Sequence, residues 1–563
     1  MKSKFKSLYA LGGAMALIAG VAMAPLGAAS SSASSNPYAN VNLTISVNAF
    51  GPQADNLNPF LPTSTDNSSD SNTDMIYEPL WQYNIVNPNE TYPWLAVSRS
   101  LTNDDKTLTL KLHPNVKWSD GKPFTSADVV YTFELLKKYP ALNTEGITFK
   151  SVVAQGPLGV QFTFATPSFA EEYYILNQTP IVPEHIWSKV KNPVTYADTD
   201  PIGTGPFVLK SFTPQYMVLD RNPNYWQAGL PKINSLTYPS VGSAAAQNSA
   251  MDEGDYAWSS FTEPDIQKLF VSKDPSTNHY WYPPVGITAL LPNLNVYPLN
   301  LIAVRQAISD AVNRKTVSTL GEWGYEPPIK TATGLILPNY SSSLDPAYKN
   351  DTYSYNVSKA KSLLKSAGLK TNSSGQILGK NGKPITLTLI DPSGYSDYMQ
   401  DLTILSSELK AIGFNTSVQG LSVGTWSSDL ATGDFDLSLY YSTSGPTPYY
   451  IYNAWLNYSL SAKPGDAATG DFQRWNSTAT QTDLTDYTGA STNAERQSAI
   501  NGLESIMASD LPVIPLVYSI DWGAYTSTQV TGWPSPSDPY SSAGPIESAN
   551  QEFVLLHLVP AKS

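Results

Sequence analysis

Residues 108–133 read LTLKLHPNVKWSDGKPFTSADVVYTF, and three kinds of local structure follow one another in it. Leu108, Leu110 and Leu112 alternate with Thr109 and Lys111, the period of a strand with one buried face. Ser119-Asp120-Gly121-Lys122 is turn chemistry. Thr125 with Asp128 three positions later forms an acidic version of a capping box. Val129, Phe133 and Leu136 then fall on one face of the helix that the box starts. The stretch is therefore strand, turn and capped helix.

The same alternation of element types continues outward. Towards the N-terminus, Val41, Leu43, Ile45 and Val47 interleave with Asn42, Thr44, Ser46 and Asn48, a further half-buried strand. A polar loop runs from Asp66 to Asp74 before Met75–Trp81. Towards the C-terminus, Phe162 and Phe164 mark a strand, and Gly203-Thr204-Gly205-Pro206-Phe207 is a tight turn entering another. The Pro-rich, charge-poor region 283–298 reads as a crossing between domains. Helices follow at Leu301/Val304/Ile308/Ala311 and at Met399/Leu402/Leu405/Leu409/Ile412, the second stopped by Gly413. Leu437 and Leu439 head a strand ending at Tyr440 and Tyr441. A helix from about Ala494 to Ala508 has Asn493 as its expected cap. The class is mixed α/β, with no repeat of 20–50 residues.

At 563 residues the chain exceeds a single core. Hydrophobic content of 41% suits a globular protein, whereas charged residues are only 14%. Residues 1–29 read as an export signal: Lys2, Lys4 and Lys6, an apolar run Leu8–Ala24, and small residues Gly27, Ala28 and Ala29. Residues 30–40 form a Ser-rich linker. Removing the leader takes the net charge from −13 to −16, a surface that repels nucleic acid. With no cysteine, disulfides, thiolate metal sites and a lipidated N-terminal Cys are excluded. Export to the periplasm or cell surface is expected, with an uncleaved leader as the alternative means of attachment.

Four runs resemble the family 5 extracellular solute-binding proteins of ABC transporters: residues 108–133, Pro201–Phe207 (PIGTGPF), Arg221–Trp226 (RNPNYW) and Val304–Arg314 (VRQAISDAVNR). They occur in family order across most of the chain. The resemblance implies a type II (cluster C) periplasmic-binding-protein-like α/β fold, two main lobes joined by a hinge plus an inserted lobe. Lobe I would combine 41–78, 200–283 and 519–563. Lobe II, 79–199, would be the insertion, and lobe III would cover 284–518. The implied partners are a ligand held between lobes I and III and the permease subunits of an ABC importer. A monomer without a cofactor is expected.

Peptide-binding members carry an Asp after the strand matching Asp434–Tyr441, where it pairs with the peptide's amine. Here Tyr440–Tyr449 reads YYSTSGPTPY and holds no carboxylate. A buried ammonium without a partner is strongly disfavoured. The run instead resembles the oligosaccharide-binding branch, as do Gly254–Trp258, Asn278–Gly286, Ser393–Tyr398 and Gly532–Tyr540. That branch implies a cello-, xylo- or manno-oligosaccharide ligand, with an oligopeptide as the alternative. Aromatic rings cover flat sugar faces, and polar groups meet the hydroxyl rim. With 34 Tyr, 13 Trp and 17 Phe, the chain favours rings that carry a polar tip. The candidate ligand contacts are Trp258, Tyr395, Trp426, Tyr441, Trp522 and Trp533, with Ser444 and Gly445 in the loop and Asn58 and Asn293 as polar contacts.

An enzyme is not expected. No G-x-S-x-G, P-loop or H-E-x-x-H occurs, and His113, His185, His279 and His557 are scattered. No carboxylate pair stands out as a glycosidase couple. So few histidines leave a transition-metal site little to use.

Overall fold

A computed structural model describes residues 38–562 apart from 39, 48–50, 62–74, 89, 103, 443–444 and 547–549. The leader, most of the Ser-rich linker and the loop from Asp66 to Asp74 lie outside the described residues.

The stretch 108–133 folds as its pattern dictates. The strand Thr107–Leu112 buries Leu108, Leu110 and Leu112 and exposes Thr109 and Lys111. The turn closes through the Gly121 N–H, which donates to the Trp118 carbonyl at 2.8 Å, with Gly121 at φ 86°. The helix Ser126–Lys138 starts on a complete capping box: the Thr125 side chain accepts from the first turn, and Asp128 accepts from the Thr125 N–H at 2.8 Å. The other Asp128 oxygen accepts from the Glu184 N–H at 3.0 Å, so the cap also anchors the next short helix. Phe133 packs edge-on against Phe162 at 4.8 Å, which seats the helix on a four-stranded antiparallel sheet.

The motifs carried by separate parts of the chain converge here. The Ser119 N–H donates to the Gly203 carbonyl at 2.8 Å, and the Asn224 side chain donates to the Ser119 carbonyl at 3.0 Å. Asn222 donates to the Gly205 carbonyl at 2.7 Å. Trp94 and Trp226 both donate to the buried Glu78 carboxylate at 2.9 Å. These residues therefore build the scaffold. Gly203 is required by space: a Cβ there would lie 1.7 Å from the Ile76 carbonyl oxygen, a backbone atom. Gly203→Ala is expected to destabilise the fold by about 2–4 kcal/mol through overpacking, read as a lower denaturant midpoint at unchanged slope.

Two larger sheets carry the rest. In the seven-stranded sheet, Asn42–Ser46 runs parallel to both neighbours, Ser235–Pro239 and Trp258–Ser259, with Ala524–Thr526 and Asn278–Tyr280 beyond the latter. In the five-stranded sheet, Asn415–Leu421, Thr386–Pro392 and Leu437–Tyr441 run parallel, followed by antiparallel Thr288–Pro292 and Ile514–Val517. The chain passes between these sheets twice, from Tyr280 to Thr288 and from Val517 to Ala524.

Two expectations change. The crossing is shorter than 283–298, because Thr288–Pro292 is a fully buried strand. Buried on both faces, TALLP shows no alternation, so periodicity could not mark it. The late helix spans Asn493–Asp510, and its cap is Thr492 rather than Asn493. Glu495 decides this: its carboxylate accepts from the Thr492 N–H at 2.9 Å while the Thr492 hydroxyl accepts from the Glu495 N–H at 3.2 Å. In the run 304–314, Arg305 is buried and donates to the carbonyls of Leu299, Asp510 and Leu511, holding that helix's C-terminal end.

Candidate ligand cleft

In open α/β sheets, ligands bind outside the carboxyl ends of parallel strands. In the five-stranded sheet those ends lead to Ser393–Tyr395 after Pro392, to Ser422 and the helix Val423–Thr432 after Leu421, and to Ser442 after Tyr441. In the seven-stranded sheet they lead to Ser260 and Phe261 after Ser259. Both sets lie at the ends where the two crossings join the sheets, since Thr288 pairs with Tyr441 and Val517, and Tyr280 pairs with Ala524.

Several sequence-chosen rings meet on this edge. Trp426 lies near-parallel to Tyr440 at 5.9 Å and 28°, and Tyr440 to Tyr441 at 5.3 Å and 8°. The Trp426 indole N–H donates to Ser438 Oγ at 2.9 Å, which fixes the inner end of this ladder. Tyr441, at the outer end, is 46% exposed. Tyr395, half-buried, meets Tyr398 edge-on at 6.1 Å. Trp522 stands on the second crossing among Tyr282 at 4.8 Å, Tyr325 at 5.8 Å and Trp323 at 6.4 Å. This aromatic knot spans both crossings, and Tyr325 Oη donates to the Pro264 carbonyl at 3.3 Å.

Other chosen residues lie elsewhere. Trp258 is fully buried in the core of the seven-stranded sheet, its indole N–H donating to the Ala543 carbonyl at 2.6 Å. Trp533 stacks on Tyr525 at 4.9 Å and meets Trp258 edge-on at 5.3 Å. Neither leaves an open ring face. Asn58 is buried, and its amide donates to the carbonyls of Pro193 and Tyr196. Asn293 is likewise held by the carbonyls of Gly433 and Phe435. Both asparagines satisfy loop backbone rather than facing a cleft. Gly445 packs on the Tyr450 ring and exchanges hydrogen bonds with Tyr340 Oη; a Cβ there would come within 2.6 Å of that ring. Ser444 lies outside the described residues.

A cavity of about 290 Å³ extends from Tyr440 and Tyr441. Its opposite wall comes from the 79–199 segment and includes Glu145, Tyr173 and Tyr174. Tyr450 Oη donates to the Ala170 carbonyl at 3.0 Å, and Arg496 pairs with Asp105 at 3.1 Å, so the two walls are tied. Glu145 itself is exposed to solvent. Asp471, also in the wall, is buried, and removal from water raises its carboxyl to about 8, with its Oδ1 accepting from the Trp475 N–H at 2.7 Å. The sequence reading missed this second wall. The paired tyrosines Tyr173-Tyr174 and Tyr449-Tyr450 were the available signal.

The sequence profile of the bacterial extracellular solute-binding proteins, family 5 Middle, matches residues 90–462. The chain belongs to this family. Family 5 proteins are solute-binding proteins rather than enzymes, and this one is the substrate-binding protein of an ABC importer. Its relatives are periplasmic or otherwise extracytoplasmic. Among the described residues no helix is long and apolar enough to cross a membrane. The nickel-binding periplasmic protein of Escherichia coli K12 is 28% identical over 377 residues, 65% of this chain and 68% of that one. A mannohexaose-bound periplasmic oligopeptide-binding protein of Thermotoga maritima has a TM-score of 0.83 at 25% identity, covering 93% of this chain and 99% of the other. The oligopeptide-binding protein AppA of Bacillus subtilis, in complex with a nonapeptide, superposes with a TM-score of 0.74 at 20% identity, covering 92% and 99%. Family 5 relatives thus carry ligands of quite different chemistry on one fold.

Proposed function

We propose that this family 5 protein captures a short oligosaccharide of the manno-, cello- or xylo- type and delivers it to its importer. The supporting observation is the ladder Trp426–Tyr440–Tyr441, whose outer ring is open and borders a 290 Å³ cavity. An open ring backed by near-parallel rings suits the flat C–H face of a sugar, and each such stack contributes about 1 kcal/mol beyond burial. No carboxylate stands in the described part of 440–449 to meet a peptide amine. On this reading the two crossings form a hinge between lobe I (41–78, 200–283, 519–563) and lobe III (284–518), with 79–199 as the third lobe. A ligand touching both sides stabilises the closed form by its preference for that form.

One observation favours the oligopeptide alternative: Glu145 in the cavity wall is a carboxylate that an ammonium could meet. A thermal-shift panel of manno-, cello-, xylo- and malto-oligosaccharides against di- to pentapeptides separates the two. Stabilisation by one of the sugars is expected. Tyr441→Ala should weaken that sugar's binding about tenfold while leaving the ligand-free melting temperature almost unchanged, because Tyr441 is half exposed. Stabilisation by peptides alone refutes the sugar reading.

A further inference from the structure

Beneath the aromatic edge lies a group of carboxyls that ligand contact does not use. Glu322, Glu326, Asp391 and Asp401 are buried, with Asp397 half-buried beside them. None of them pairs with a cation among the described residues. The packed elements offer Arg314, Lys315 and Lys410. Arg314 is committed to the Pro515 carbonyl at 2.7 Å, to Ser309 and to the Tyr353 ring at 4.0 Å. Lys315 and Lys410 are exposed to solvent. The remaining neighbours are acids or phenols: Glu408, which accepts from the Asn313 N–H, and Tyr398.

Glu322 and Asp401 face each other, and no oxygen of either has a donor among the described residues. Two carboxyls in this relation hold a proton between them, since like charges so close do not both ionise. Their approach is built into the backbone. The chain makes a π-helical turn at Val317–Gly321, and a Cβ on Gly321 would lie 1.6 Å from Asp401 Oδ1. Glycine is what admits the Asp401 carboxyl.

Glu326 connects this group to both crossings. One of its oxygens accepts from the Ile520 N–H at 3.2 Å, in the second crossing. The other accepts from Thr288 Oγ1 at 3.2 Å, at the end of the first, and Thr288 Oγ1 also lies 3.3 Å from Tyr398 Oη. One buried carboxyl therefore grips both connections between the sheets. Burial opposes its ionisation, as do the surrounding acids, while the hydrogen bonds from Ile520 and Thr288 favour the charged form.

We propose that Glu322 and Asp401 form a proton-binding site that controls the hinge: protonated, the pair lets Glu326 hold the two crossings together, and deprotonated it repels Glu326 and releases them. The proposal rests on reading the crossings as a hinge. As pH rises, charge accumulates among carboxyls that have no cation partner among the described residues. Repulsion then separates the 317–326 segment from the helix Ser396–Ala411 and loosens the Glu326 contacts. The tied state binds more protons than the released one, so a ligand that stabilises the tied state takes up protons as it binds.

The test uses the full chain without ligand. Small-angle scattering and thermal unfolding are recorded between pH 4 and pH 8 for the wild type, for E322Q/D401N, and for E326Q as a single variant in case the double variant fails to fold. The wild type should open with rising pH, a change of a few per cent on a radius of gyration of roughly 24 Å. The amide variants cannot ionise, so they should keep their low-pH radius at pH 8, and their melting temperature relative to wild type should rise with pH. A wild-type radius independent of pH overturns the proposal, as do amide variants that open like the wild type. Stabilisation of the wild type at pH 8 by calcium, abolished in E322Q/D401N, overturns it in favour of a cation site. The hinge reading fails separately, if the sugar or peptide that raises the melting temperature leaves the scattering unchanged.

Discussion

Truncation of Trp258 to alanine is expected to lower the unfolding free energy by about 3–5 kcal/mol, the range for deleting a large buried aromatic side chain. The ring is fully buried, meets Trp533 edge-on, and satisfies the Ala543 carbonyl through its indole N–H. Its loss leaves a cavity and an unpaired buried acceptor together. Trp522→Ala should behave in the opposite sense. That ring is half-buried on the second crossing, so its truncation should cost only about 1–2 kcal/mol, with the main loss falling on ligand affinity. Chemical denaturation of both variants beside calorimetric titration with the stabilising ligand measures the contrast. Equal stability losses would mean that Trp522 is simply a core residue.

Stability is expected to fall as pH rises from 4 to 8, against the usual behaviour of proteins held by ion pairs. Among the described residues, Asp471, Glu504, Asp198 and Asp521 are buried and none is in an ion pair. Burial raises Asp471 to about 8, Glu504 to about 7, and Asp198 and Asp521 to about 6, against ordinary values near 4. A carboxyl with a raised folded pKa keeps its proton after the unfolded chain has released one. The folded form then binds more protons, and stability decreases with pH until the folded pKa is passed. A tenfold change in proton affinity is worth about 1.4 kcal/mol. After structural relaxation, a combined loss of roughly 3–5 kcal/mol across this range follows. Urea unfolding at pH 4, 6 and 8 checks the sign. Greater stability at pH 8 than at pH 4 would mean that these carboxyls are ionised in the folded protein. With 47 acids against 34 lysines and arginines, the surface also gains net negative charge over the same range, which acts in the same direction.

Local structure was legible wherever one face of an element is wet. The leucines of 108–112 and the Thr125–Asp128 box announce their strand and helix because period and capping are properties of neighbouring residues. Thr288–Pro292 escaped for the reverse reason: enclosed on both faces, it has no period to read. The Asn493 cap failed narrowly, since two adjacent residues could each begin a helix and only the reciprocal bonds of Thr492 and Glu495 discriminate them. Trp426 and Tyr441 were singled out through motif resemblance, but their stacking through Tyr440 was not. Tyr173 and Tyr174, across the cavity, were not singled out, because they arrive from a distant segment that sits in a different sheet's neighbourhood.

Sequence by itself determined the α/β class, the order of family 5 motifs, the absence of thiol chemistry and the missing carboxylate at 440–449. These are facts about residue identity and short-range spacing. Tertiary structure alone decided which tryptophans are core and which keep a partly accessible ring, because Trp258 and Trp522 differ only in what distant chain covers them. It alone brought Glu322, Glu326 and Asp401 together under the two crossings. Carboxyl ionisation depends on distance and burial in space, and neither can be counted along the chain.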